Sequence, residues 1–255
     1  MKRLICSVFS MILCLSLVAC GESAEIEKFK FELNEDQTEY ILVEYNYSSN
    51  DAYKEAIIPA TYNGLPVTKI GDEAFEFSEH LESVSISEGI THIDTGAFAY
   101  CEKLKNISIP KSVCSIEDGA FENCDALESI IISQGLDIGF GAFENCDSLK
   151  SVVIGDSGEG WPSAIGQYAF SDCLSLETVT LGMGVSVIED SAFRNCEKLA
   201  EVNLSNSLVR IYSSAFQDCN LDVINFSGTK EEWDAIDRWS WWDLRAGSYE
   251  IICTK

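Results

Sequence analysis

Residues 97–116 read Ala97-Phe98-Ala99-Tyr100-Cys101-Glu102-Lys103-Leu104-Lys105-Asn106-Ile107-Ser108-Ile109-Pro110-Lys111-Ser112-Val113-Cys114-Ser115-Ile116. Residues 192–211 run Ala192-Phe193-Arg194-Asn195-Cys196-Glu197-Lys198-Leu199-Ala200-Glu201-Val202-Asn203-Leu204-Ser205-Asn206-Ser207-Leu208-Val209-Arg210-Ile211. Laid one over the other, they place apolar residues at the same steps, from the Ala-Phe pair through Cys101 and Cys196 to Ile116 and Ile211. Working outward, an Ala-Phe pair recurs at Phe75, Phe98, Phe121, Phe143, Phe170, Phe193 and Phe216, in steps of 23, 23, 22, 27, 23 and 23 residues. Self-similarity at such a period is the signature of a solenoid.

The spacing inside a unit predicts its shape. Phe98, Cys101 and Leu104 are three apart, which suits a tight helical or 3₁₀ turn facing inward. Ile107 and Ile109 are two apart, which suits a short strand with one buried face. A lone coil is unstable: ordering each backbone costs about 1–2 kcal/mol, while each core side chain contributes about 1.5–3 kcal/mol. Coils must therefore stack, strand on strand, with both ends capped.

Ile70-Gly71-Asp72-Glu73-Ala74-Phe75 and Cys101-x-x-Leu104-x-x-Ile107-x-Ile109-Pro110 resemble the repeat of the BspA-like leucine-rich-repeat family of bacterial surface proteins. Ile57-Ile58-Pro59 and Tyr62-Asn63-Gly64-Leu65-Pro66-Val67 match that family's lead-in. Phe226-Ser227-Gly228-Thr229 with Glu232, Trp233 and Ile236 match its last module. Departures are local: Ser78 replaces cysteine in the first unit, the last unit is one residue shorter between Cys219 and Leu221, and the fourth is lengthened around Gly155–Ala164. The resemblance implies a leucine-rich-repeat solenoid of short parallel strands stacked coil on coil with short helical or 3₁₀ turns. About seven repeats of 22–27 residues are expected over 67–226, between a lead-in or cap at 27–66 and a C-terminal cap at 227–255. It also implies a non-enzymatic surface binding module, adhesion being the role usual in the family.

The N-terminus carries a different message. Lys2 and Arg3 precede an apolar run from Leu4 to Leu17, too short for a comfortable membrane span. Leu17-Val18-Ala19-Cys20-Gly21 resembles the bacterial lipobox, so residues 1–19 are expected to be a lipoprotein signal peptide, Cys20 the lipidated residue and 20–26 a linker. An ordinary secretory signal or an uncleaved anchor are the other readings. The expected location is extracytoplasmic, lipid-anchored to a bacterial cell membrane, with membrane contact through the lipid anchor only.

Charge narrows the partners. Lys and Arg number 17 against 42 Asp and Glu, a net charge of −25, which falls to −27 once Lys2 and Arg3 are removed. Such a surface repels nucleic acid. A protein or glycan ligand outside the cell is expected, with glycan capture or solute binding for a transport system as the alternative function.

Of the 11 cysteines, six occupy one repeat position: Cys101, Cys124, Cys146, Cys173, Cys196 and Cys219. Coils about 4.8 Å apart with parallel Cα–Cβ vectors hold sulfurs too far apart for disulfides. Zinc would need close pairs or nearby histidine. A structural ladder of buried, free thiols is expected; Cys114 and Cys253 lie outside the register. His80 and His92 read as surface residues, so no metal site is expected. No nucleophile elbow, Walker loop or zincin helix occurs, so no catalytic residues and no cofactor are expected either.

Candidate ligand contacts come from two places. Strand positions pointing away from the core, including Ser85, Ser108, Thr180 and Asn203, form a small, hydrogen-bonding sheet face that is either a docking face or ordinary solvated strand. Beside it Glu82, Lys105, Glu128, Lys150 and Glu177 alternate in sign as a cross-strand charge ladder. Tryptophans supply the second set: Trp239, Trp241 and Trp242 serve as cap packing or as an exposed stacking platform, and Trp161 sits on the insertion loop. Acidic rows at the corners fit a solvated edge, calcium or a basic partner.

Overall fold

The structure, a computed structural model, describes residues 28–46, 54–132, 136–156 and 163–255. The expected signal peptide (1–19), Cys20, the expected linker (20–26) and Trp161 lie outside the described residues.

Each unit makes one circuit: return strand, turns, sheet strand, corner. Sheet strands pair in parallel and in register from coil to coil, so that Ser129–Ile132 lies along Ser151–Ile154, then Thr178–Leu181, Glu201–Leu204, Val223–Phe226 and Glu250–Cys253. Glu55–Ile58, Ser83–Ile86 and Asn106–Ser108 form a separate three-stranded segment ahead of them. Ile107, expected in the core, is half-buried at this break in the ladder. Return strands, among them His92–Ile93, Ser115–Ile116 and Val185–Ile188, build the second ladder on the other side of the core. Alternation within a strand decides which side chains enter: Val179 and Leu181 are buried while Thr178 and Thr180 face outward.

Between the ladders the three-residue spacing becomes a run of turns. Ala97, Cys101 and Leu104 donate backbone N–H to Asp94, Phe98 and Cys101 three residues back. The turns do not continue into a helix because left-handed residues interrupt them, Gly96 at φ 60° and Tyr100 at φ 58° in this coil. Coil holds to coil here as well: Phe98 N–H donates to Ala120 O at 2.7 Å and Phe121 N–H to Ala142 O at 2.7 Å.

The Ala-Phe pair fills the centre. Phenylalanine rings from Phe75 to Phe216 are buried and stacked, with centroids 4.7–5.3 Å apart. Successive rings are nearly parallel, 2° between Phe143 and Phe170. Tyr45 continues the column beyond Phe75, stacked with centroids 4.8 Å apart, with Phe29 edge-on to Phe75 beside it, and at the other end Trp242 crosses Phe216 at 86°. At Phe216 the edge-to-face crossing with Trp242 is an arrangement that aromatic quadrupoles favour.

Next to the rings stand the six cysteines, all buried and all free thiols. Each Sγ–H donates to the carbonyl of the phenylalanine one coil back, Cys124 to Phe98 O at 3.2 Å and Cys196 to Phe170 O at 3.1 Å. The Phe98 carbonyl thus accepts from Cys101 N within its turn and from Cys124 Sγ in the next coil. Burial pushes the Cys101, Cys146 and Cys219 thiols up to about 12 and those of Cys124, Cys173 and Cys196 well above the ordinary range.

Both ends are closed by structure of another kind. Phe29–Leu33 pairs antiparallel with Tyr40–Tyr45, which runs parallel to Leu65–Ile70 and starts the return ladder. Beyond Phe226, α1 (Lys230–Ala235) begins at Thr229, whose hydroxyl accepts from Glu232 N–H while Glu232 accepts from Thr229 N–H. This reciprocal cap fixes the helix start and turns Trp233 and Ile236 inward. The chain then makes another coil without an Ala-Phe pair: Asp237–Arg238 extends one ladder and Glu250–Cys253 the other.

Candidate functional site

The outward face of the sheet ladder is uneven along its length. Ser85 and Ser108 are exposed near the N-terminal end, separated from the rest by Ile131 and Val153, which are 62% and 37% exposed. Thr180 and Asn203 come together three coils later. Asn203 Nδ2 lies 3.4 Å from Thr180 Oγ1 and 3.1 Å from Glu201 Oε1, and Asn225 Nδ2 donates to Asn203 Oδ1 at 2.9 Å. Three successive coils thereby place amide, hydroxyl and carboxylate on one surface. A shallow depression of ≈ 330 Å³ opens at its edge, lined by Thr180, Asn203, Asn225, Asp156, Met183 and Thr254 among others.

The charge ladder beside this face forms in pairs. Glu82 takes Lys54 at 2.6 Å and Lys105 at 3.1 Å, and Lys150 reaches Glu128 at 3.1 Å. Hydrogen bonds from Lys54 and then Lys105 hold the Glu82 carboxyl down at about 2. These contacts link coils across the ladder.

The tryptophans separate. Trp242 is half-buried against Phe216, Trp233 and Tyr249. Trp241 is 71% exposed, and Trp239 is exposed with its ring 4.7 Å from that of Tyr212. Phe216 N–H donates to Trp242 O as Phe193 N–H donates to Ala215 O. Trp242 therefore takes the repeat's alanine position, and Trp241 takes the left-handed position before it, at φ 64°. That geometry sends Trp241 outward while its neighbour packs inward. Trp239 and Trp241 stand on the turn side of the solenoid, away from the sheet strands that carry Thr180 and Asn203.

Acids at the corners divide as well. Asp72, Asp118 and Asp156 accept backbone N–H from the following coil, from Thr95 at 3.2 Å, Phe140 at 2.7 Å and Met183 at 2.6 Å. His80 is exposed near Lys103, and His92 takes Thr91 Oγ1 at 2.8 Å. Among the described residues, no group of three His, Cys, Asp or Glu is arranged to hold a metal.

Asn225 and Glu201, which lie on the outward columns read from the sequence, complete the network around Asn203. One feature escaped sequence reasoning: Phe77 and Tyr100 have φ of 57° and 58° where other coils have asparagine or aspartate, and Tyr168 has φ of 58° where others have mostly glycine or serine. Aligning the turn residues of all units exposes that substitution.

Comparison with known proteins agrees with this architecture. A family model described as BspA type Leucine rich repeat region matches six copies over residues 44–163 and 163–236. Among solved structures, the leucine-rich repeat protein of Treponema pallidum is 26% identical, with 78% of this chain and 83% of that chain covered at a TM-score of 0.60. A leucine-rich repeat protein of Bacteroides ovatus, at 18% identity, covers 89% of this chain and 75% of its own at a TM-score of 0.53, a likeness of fold. No curated protein matches the chain. With the repeat matched over more than half its length, the chain belongs to the BspA-type leucine-rich-repeat family.

Proposed function

We propose that this chain is a non-enzymatic binding module of the bacterial cell surface, tethered by lipid on Cys20. It engages a protein ligand outside the cell, in an adhesive role, through the outward face of the sheet ladder. The observation that carries this reading is the Thr180–Asn203–Asn225–Glu201 network beside its depression. Half-buried amides and a hydroxyl on one sheet face offer hydrogen-bond donors and acceptors to an extended polypeptide. Nucleic acid is disfavoured by the net charge of −25, and the membrane is met through the anchor alone.

The test is binding of the purified full chain to an array of matrix proteins and glycans. Asn203→Ala with Asn225→Ala should weaken a protein ligand at least tenfold. Retention of full binding by that variant would remove the sheet face from the proposal. Metabolic labelling with palmitate in a bacterial host should mark the wild type and leave Cys20→Ser unlabelled.

Glycan capture is the second reading, and exposed Trp239 and Trp241 favour it, since sugars stack on indole faces. Under that reading Trp239→Ala and Trp241→Ala abolish binding to one glycan class while the double asparagine variant retains it.

A further inference from the structure

A second surface lies on the turn side of the first coils. A groove of ≈ 240 Å³ crosses four successive units there, lined by Glu73, Glu76, Glu122 and Glu144 with Tyr100 and Phe140. Its rim is apolar and open. Phe77, 50% exposed, stacks on Tyr100 with centroids 4.8 Å apart, and Phe140, 48% exposed, meets Tyr168 edge-on at 5.5 Å. We propose that this groove is a docking site for an extended polypeptide segment carrying arginine or lysine.

Charge complementarity names the occupant. Among the described residues, no salt bridge engages Glu73, Glu76, Glu122 or Glu144. Glu122 accepts from Asn123 Nδ2 at 2.9 Å and from the Tyr100 hydroxyl at 3.5 Å, but the carboxylates repel one another. Burial raises the Glu76 carboxyl and so do Glu73 and Glu122, while burial, Glu122 and Asp172 raise that of Glu144. The Tyr100 hydroxyl is raised first by Glu122, then by burial. A cation laid in the groove relieves this repulsion and meets aromatic faces at the same time, the combination that holds guanidinium and ammonium groups. With a coil rise of about 4.8 Å, the carboxylates of the first, third and fourth coils, with Tyr100 in the second, span a track about 15 Å long, which suits four or five extended residues.

The backbone gives an independent reason to regard the aromatics as more than filler. Phe77 and Tyr100 hold the left-handed position that Asn123, Asn145, Asp172, Asn195 and Asp218 hold in other coils, and Tyr168 the position held by Gly96, Gly119 and Gly141 and, in other coils, by Glu73, Ser191, Ser214 and Trp241. Bulky side chains are disfavoured there, and Phe77 recovers little by burial. Folding alone is better served by asparagine or glycine at these places.

That contrast supplies the experiment. A fluorescein-labelled (Arg-Ser)₄ peptide is titrated with the full chain by fluorescence anisotropy at low and physiological salt. Phe77→Asn with Tyr168→Gly should leave the melting temperature unchanged or higher and weaken the peptide at least tenfold. Glu76→Gln with Glu144→Gln should do the same, while Glu197→Gln with Asp222→Asn, an equal change of charge far along the solenoid, should shift affinity less than twofold. Asn203→Ala with Asn225→Ala should leave this titration untouched, so failure of the sheet-face reading is distinct from failure here. Equal losses in both charge variants with no effect of the aromatic pair would overturn the proposal in favour of a diffuse field. Stoichiometric displacement of the peptide by Ca²⁺, with Ca²⁺ alone raising the melting temperature, would overturn it in favour of a cation site. Absence of saturable binding would overturn it outright.

Discussion

A single thiol shows how closely this fold specifies its residues. At the cysteine position the side chain must be small, tolerate a dry surrounding and reach the phenylalanine carbonyl of the preceding coil, and cysteine does all three. The first unit carries Ser78 instead, buried with its hydroxyl unpartnered among the described residues. Leaving a buried hydroxyl unsatisfied costs about 1–3 kcal/mol. Ser78→Cys should therefore raise stability by about 1 kcal/mol in urea unfolding, and a loss of stability would contradict this view of the position. The same column sets an alkaline limit. Below about pH 8 the thiols are protonated in folded and unfolded chains alike. Above it the unfolded chain releases protons that the folded chain retains up to about pH 12, so stability falls by up to about 1.4 kcal/mol per pH unit per thiol. Melting temperature should drop from pH 9 to 10.5, less steeply in Cys146→Ala with Cys173→Ala; a flat profile would count against buried thiols. The cysteine column was legible because its spacing repeats. The outward turn of Trp241 beside the inward turn of Trp242 was not, because it depends on a backbone sign that side-chain pattern does not carry.

At the level of elements, the strands and the capped helix follow from local sequence, whereas the turns follow from tertiary register. Thr229 and Glu232 announce α1 by their spacing alone. The Phe-x-x-Cys-x-x-Leu interval fits a helical turn or a 3₁₀ turn, and left-handed residues such as Asn123 at φ 56° decide between them. Central to every element is the stacked ring column, where each phenylalanine has a ring on either side. Phe143→Ala should cost about 3–5 kcal/mol, since both the Phe121 and Phe170 rings at 5.0 Å lose a neighbour. Chemical denaturation measures this directly, and indifference to the change would contradict the stack.

For the whole molecule, the repeat period disclosed the solenoid and the resemblance its family, but the candidate surfaces are products of stacking. The glutamates of the groove are four among 42 acids in the sequence; only the coil rise brings them onto one track beside Tyr100 and Phe140. Stability in such an array is nearly a sum of coil and neighbour terms. Deletion of residues 170–192, one 23-residue period joining Ala169 to Phe193, should therefore leave a folded protein with the same circular dichroism shape and a lower urea midpoint. Collapse to an unfolded chain would show that the coils are not interchangeable.

The direction of the coil-to-coil hydrogen bonds bears on mechanics. In both ladders they point along the stacking axis, so a load applied between the two ends pulls each bond along its own length. Under such a load the bonds give way a few at a time, as in a zipper, and do not share the force as they do in shear. Each 23-residue period that peels away frees roughly 75–80 Å of slack. Stretched end to end, the molecule should yield coil by coil, in steps of that length.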